Sequence, residues 1–195
     1  GEQIWKLGAP MESGVYRDGE DQGDSYGFQR DRFLPTNFAF LPDGGFMLAD
    51  GYGSYYIHRY DKDARWVSCF GGAGSGEGQF NTPHGLTLDN RQADAPVIVV
   101  ADRANNALQR FTLDGKYLNT IRGFGLPANV QVQGGMMLVP ELYARLSILG
   151  KDNQIVARLG DDSARLRADK RKRIRVSPSQ WIDGKFITPH DACFD

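Results

Sequence analysis

The chain has 195 residues, of which 41% are hydrophobic and 24 are Gly, with a formal net charge of -1 and two cysteines. That size and composition read as one soluble, turn-rich, all-β domain with a sizeable core. The balanced charge gives no global attraction to nucleic acid or an anionic membrane, and no apolar run approaches the ~18 residues a spanning helix needs.

Taken in order, Gln3 to Leu7 reads as the closing outer strand of a repeat unit. Gly8 to Arg32 is a long polar connection. Phe33-Leu34-Pro35-Thr36 then opens a unit with the alternating run Phe38-Ala39-Phe40, the turn Pro42-Asp43-Gly44-Gly45, the run Phe46-Met47-Leu48, Ala49-Asp50, Gly51-Tyr52-Gly53 and Ile57 to Tyr60. Gly71 to Gly78 resembles a phosphate loop in spacing. It lacks the Lys-Ser/Thr ending and leads into a strand, so it reads as an interblade turn.

The second unit repeats this grammar from Phe80, through Thr82-Pro83-His84-Gly85, Leu86-Thr87-Leu88, Val97 to Val100, Ala101-Asp102 and Leu108 to Phe111. A weaker copy starts at Gly125-Leu126-Pro127-Ala128, and another begins at Phe186-Ile187-Thr188-Pro189-His190-Asp191. Pro35 to Pro83 is 48 residues and Pro83 to Pro127 is 44, close to the period of roughly 40 to 50 of propeller blades. The expected fold is an all-β propeller of four-stranded blades. Its blades run over about 33–72, 80–122 and 126–160, with a blade end at 1–7 and the start of another at 186–195.

Strands are expected near 37–41, 45–49, 55–60, 85–88, 97–101, 107–112, 130–133 and 136–139, with a helical turn allowed only within 161–172. The chain is read as a partial piece, about four blades, of a longer ring, with missing blades or another chain covering its open ends. The basic run Arg165 to Arg175 reads as a solvated loop or short helix. Cys69 and Cys193 read as buried free thiols. Asp50 and Asp102, at equivalent ends of second strands, are expected to accept backbone N–H bonds and fix the turns that follow.

His84 and His190 both follow Pro at the start of a first strand. First strands line a propeller's channel, so the two imidazoles are expected at one mouth, with Tyr52 and Arg103 on the rim between them. A catalytic zinc typically takes three protein ligands, so the pair is part of such a site. Read alone, the pair also fits strand-entry histidines bonded to neighbouring turns, Tyr52 a turn aromatic, and Arg103 an ion-pair partner between blades. His58, on a third strand, is expected to be structural or solvent-facing.

The order Pro-Thr, Asp-Gly-Tyr, Pro-His-Gly, Ala-Asp-Arg-x-Asn and Pro-His-Asp resembles the NHL-repeat propellers. Among these it is most similar to the peptidylglycine alpha-amidating lyases, or peptidyl-hydroxyglycine lyases, which are six-bladed. The match covers most of the chain as repeat grammar, and its sharp motifs are Asp50 to Tyr52, Pro83 to Gly85, Ala101 to Asn106 and Pro189 to Asp191. The resemblance implies that His84 and His190 are two of three zinc ligands, that Tyr52 acts on the substrate hydroxyl and that Arg103 holds the substrate carboxylate. Asp191 would be a structural calcium ligand. The third zinc histidine and a further arginine would lie in a blade before Gln3. Gly53 departs from the family, standing where the animal enzymes have a disulfide-bonded cysteine. The implied activity is cleavage of the C–N bond of a hydroxylated amide, on a small-molecule or peptide substrate, in a secreted or extracytoplasmic setting. The competing reading is a non-catalytic propeller serving as a binding platform, and zinc stoichiometry separates the two.

Overall fold

The computed structural model describes residues 6–20 and 32–195. Among the described residues, twelve strands form three separate four-stranded antiparallel sheets. The first contains β1 (Asn37–Phe40), β2 (Phe46–Ala49), β3 (Tyr56–Tyr60) and β4 (Trp66–Gly71). The second contains β5 (Pro83–Asp89), β6 (Val97–Asp102), β7 (Ala107–Phe111) and β8 (Tyr117–Arg122), and the third β9 (Gln131–Gln133), β10 (Met136–Glu141), β11 (Arg145–Leu149) and β12 (Ile155–Leu159). Within each sheet the strands lie in chain order, and β5 packs beside both β1 and β9. First strands are therefore innermost and the sheets radiate from them as blades of a propeller. Among the described residues the α-helices are two short ones, α1 (Ser163–Ala168) and α2 (Arg173–Val176), both in the basic insert, with single 3-10 turns at Met11–Ser13 and Pro178–Gln180. Of these α1 alone falls within 161–172, so α2 and the 3-10 turns correct the expectation that helix is confined there. No described helix is long and apolar enough to cross a membrane.

The core sits between sheets. On β6 every residue is buried, because alternate side chains face opposite neighbours. Ile98 and Val100 join Met47, Ile57, Phe80 and Phe111 in the layer toward the first sheet. Val97, Val99 and Ala101 join Leu108, Met137, Val139 and Leu149 in the layer toward the third. A continuous apolar run is what a strand covered on both faces requires.

Each blade closes its first loop in the same way. The carboxylate ending the second strand accepts the backbone N–H of the segment entering the first strand: Asp50 from Leu34, Asp102 from Asn81, and Glu141 from Gly125. Asp50 also accepts from the Ser54 N–H at 2.7 Å, and Asp102 takes the side-chain amides of Asn105 and Gln109. Burial raises the Asp50 and Asp102 carboxyls above the usual range, and these hydrogen bonds oppose the rise by favouring the ionised form.

Several expectations need correction or placement. Cys69 is half-buried and Cys193 exposed: β4 is an outer strand, and the segment around Cys193 lies over β9 with no sheet across it. Residues 1–5 and 21–31, which include most of the first expected outer strand, lie outside the described residues. The segment 186–195 contains no strand. It does lie alongside β9, where Phe194 donates its N–H to Gln131 and Gln133 donates to the Asp195 carbonyl.

Candidate functional site

The residue following each entry proline occupies one equivalent position: Thr36, His84, Ala128 and His190. These positions are linked around the mouth. Thr36 Oγ1 donates to the Pro83 carbonyl at 2.9 Å, and His84 Nδ1 lies 2.7 Å from the Ala128 carbonyl oxygen. A carbonyl can only accept, so His84 carries its proton on Nδ1 and presents an Nε2 lone pair. The next residue along forms a second tie, in which Asn37 donates to Asn129 Oδ1 at 3.0 Å and Asn129 donates to Asp191 Oδ1 at 2.8 Å. Gly85 makes this possible, since a Cβ there would run into Asn129.

Tyr52 reaches this position from the turn after β2. Its hydroxyl is 2.8 Å from His84 Nε2 and accepts from Arg103 Nη1 at 3.0 Å. The Arg103 guanidinium also lies over the Tyr52 ring, 5.2 Å from its centroid. Because His84 Nε2 accepts, the Tyr52 proton points at it. The hydroxyl oxygen thus sits between an acceptor imidazole and a donating cation. His84 is held neutral, its pKa lowered to about 4, chiefly by burial and further by the Arg103 and His190 charges, against the Ala128 hydrogen bond.

The His190 ring packs edge-on against His84 with centroids 4.7 Å apart. The four residues singled out from three units, Tyr52, His84, Arg103 and His190, therefore gather at one mouth, although 106 residues separate the histidines. Asp191 stands beside them, its Oδ1 engaged by Asn129 and the Ala192 N–H. Gly53 has no room for a side chain: a Cβ there would run into the Arg32 carbonyl and the Asp50 carboxylate.

The donor set fits an ion in part. His84 has the anchored Nδ1–H of a metal-binding histidine, and His190 is its neighbour. The Nε2 an ion would use is bonded to Tyr52, and no cluster of three or more His, Cys, Asp or Glu able to hold a metal occurs among the described residues.

His58 is fully buried and belongs to a different network. Trp66 Nε1 donates to His58 Nδ1 at 3.2 Å, so His58 Nε2 carries the proton and donates to the Tyr16 hydroxyl at 2.7 Å. Tyr16 in turn donates to Asp50 Oδ2 at 2.9 Å. This clasp fastens the segment before the first blade to its second and third strands. Sequence reasoning missed Ala128, Asn129 and Tyr16. The Pro-x register could have flagged Ala128 and Asn129; Tyr16 stands in a polar connection with no periodic signal.

No protein-family profile and no curated protein matches the chain. Among solved structures, it is similar to a candidate exported protein of Bacteroides fragilis, with TM-score 0.52, 17% identity, and coverage of 63% of this chain and 36% of that one. It is also similar to a Bacteroides caccae protein of unknown function, with TM-score 0.46, 18% identity, and coverage of 64% and 45%. A catalytically inactive variant of virginiamycin B lyase from Staphylococcus aureus, solved with quinupristin, gives TM-score 0.48, 13% identity, and coverage of 65% and 41%. The chain spans less than half the length of each. At these identities the likeness is one of fold.

Proposed function

We propose that the mouth of this propeller is the active site of a carbon-nitrogen lyase acting on an N-acyl-α-hydroxyglycine, small or peptidyl, of the kind its motifs resemble. The observation that carries this reading is the Tyr52 hydroxyl held between His84 Nε2 and the Arg103 guanidinium. Acid-base chemistry needs a group within hydrogen-bond reach of a proton acceptor, and Tyr52 has one. As its proton passes to neutral His84, charge develops on an oxygen that already accepts from a cation.

The Tyr52 oxygen is then able to take the hydroxyl proton of the substrate. The freed electron pair forms the C=O bond, the C–N bond breaks, and the amide nitrogen takes the proton back. The products are a primary amide and an aldehyde acid. Arg103 has guanidinium edges to offer the substrate carboxylate, the pairing its planar fork suits. Zinc would be held by His84 and His190 with ligands from beyond the described residues; Tyr52 would then release Nε2 and pass its proton to another acceptor, so the transfer to His84 belongs to the zinc-free site. When bound, zinc supplies Lewis-acid polarisation of the substrate hydroxyl. Calcium on Asp191 would likewise need further oxygen ligands.

The test is incubation of the purified protein, with and without added zinc, with N-benzoyl-α-hydroxyglycine. Equal release of benzamide and the aldehyde acid is expected, and Tyr52→Phe should slow it by about 10²- to 10⁴-fold. No release above the uncatalysed rate under either condition overturns the reading in favour of a binding platform.

A further inference from the structure

A cavity of about 500 Å³ lies between the third blade and the basic insert. Its apolar wall includes Leu142, Tyr143 and Leu166, and its remaining lining carries the cations Arg167, Lys170, Lys172 and Arg175. Arg167 is stacked over the Tyr143 ring, 4.4 Å from its centroid. The one acid in the lining, Asp169, is committed to the Ile174 N–H at 2.7 Å. Lys170, Lys172 and Arg175 have no ion-pair partner among the described residues. An apolar pocket with convergent cations is built for an amphipathic anion.

The cavity adjoins the mouth through two stretches of chain. Leu126 lines it, two residues before the Ala128 carbonyl that orients His84, and Thr188 lines it, two residues before His190. Two residues of extended chain span at most about 7 Å. The cavity wall and the wall of the Tyr52 site are thus parts of the same two segments. Tyr143 also lies in the third blade's turn between second and third strands, the counterpart of the turn that delivers Tyr52.

Resting on the function proposed above, we infer that this cavity is the subsite for the acyl portion of the substrate, and that this portion is an apolar body ending in a carboxylate. The body packs on Leu142, Leu166 and Tyr143, and the terminal carboxylate meets Lys172 and Arg175. Charge-assisted hydrogen bonds to such an anion strengthen binding markedly.

Isothermal titration with two uncleavable ligands tests this. N-(4-carboxybenzoyl)glycine is expected to bind about tenfold or more tightly than N-benzoylglycine. In Lys172→Gln/Arg175→Gln the two ligands should bind alike, whereas the charge-keeping Lys172→Arg/Arg175→Lys should retain the preference. Equal affinities in the unaltered protein, a preference that survives loss of both charges, or displacement of the carboxylated ligand by equimolar inorganic phosphate would each overturn the inference. If N-benzoyl-α-hydroxyglycine is not cleaved while the preference and its loss are observed, the lyase reading fails and the anionic subsite stands. If it is cleaved and no preference exists, the subsite fails alone.

Discussion

His58 and His84 are both buried imidazoles held neutral, with pKa values lowered to about 4 by burial, but they carry their protons on opposite nitrogens. His84 gives Nδ1–H to a carbonyl, and its Nε2 faces the mouth. His58 accepts a hydrogen bond from the Trp66 indole N–H on Nδ1 and donates its own Nε2–H to Tyr16 inside the protein. The difference separates a site residue from a structural one. A histidine pKa depressed on folding means that the unfolded chain binds more protons between about pH 6.5 and 4, so stability is full above that window and falls as pH drops through it. For His58 the loss is about 3 kcal/mol at most. His58→Gln, which places at this position the residue that the second blade has at Gln109, should flatten the decline in denaturant midpoint between pH 6.5 and 4. An unchanged slope would count against His58 as a source of it. The Pro-His motif made His84 visible in the sequence. His58 showed only its third-strand context, because its partner Tyr16 is 42 residues away in an aperiodic stretch.

The hairpins joining third to fourth strands are one device repeated three times. In each, the third residue after the one that opens the turn has positive φ, at Ala64 (60°), Gly115 (86°) and Asn153 (62°), and the ladder is shifted by a bulge just before the turn. Backbone bonds close all three, from Asp61 to Arg65, Thr112 to Lys116 and Gly150 to Gln154. Gly and Asn tolerate this conformation, and alanine meets a Cβ penalty. Ala64→Gly should therefore raise stability by about 1 kcal/mol, or Tm by about 2–4 °C, measured by thermal unfolding. A fall would show that packing of the Ala64 methyl outweighs the strain. Alternation and turn residues placed eight strands to within about two residues in sequence. The other four were not placed: β4, β8 and β12, whose outer positions are covered on one side only and so lose the buried pattern, and the third strand of the weakest copy, β11.

Across the whole molecule, blades are tied by buried polar groups that no local pattern announces. Arg91, in the turn after β5, pairs with Asp89 at 2.8 Å with both side chains nearly inaccessible. It also donates to the Gly150 carbonyl and Asn153 Oδ1, both at 2.6 Å, pinning the second blade to the third. Arg91→Met leaves Asp89 buried and unpaired, so a loss of about 3–5 kcal/mol is expected in urea unfolding, and a loss below 1 kcal/mol would mean that water replaces the pair. The sequence showed the repeat and hence the convergence of Pro-His entries. It did not show these ties or the cavity under the basic insert, because both arise only when separate units meet.

The claim on which the rest depends is that the Tyr52 proton is directed at His84 Nε2 within a mouth built from different blades. Long-range ¹⁵N correlation spectra of the imidazoles at neutral pH test it directly. The account predicts a pyrrole-type Nδ1 and an imine-type Nε2 for His84, titrating near pH 4, with the Nε2 resonance moving in Tyr52→Phe while Nδ1 stays in place. A protonated Nε2 in the neutral ring, or an Nε2 shift indifferent to the Tyr52 hydroxyl, would contradict it.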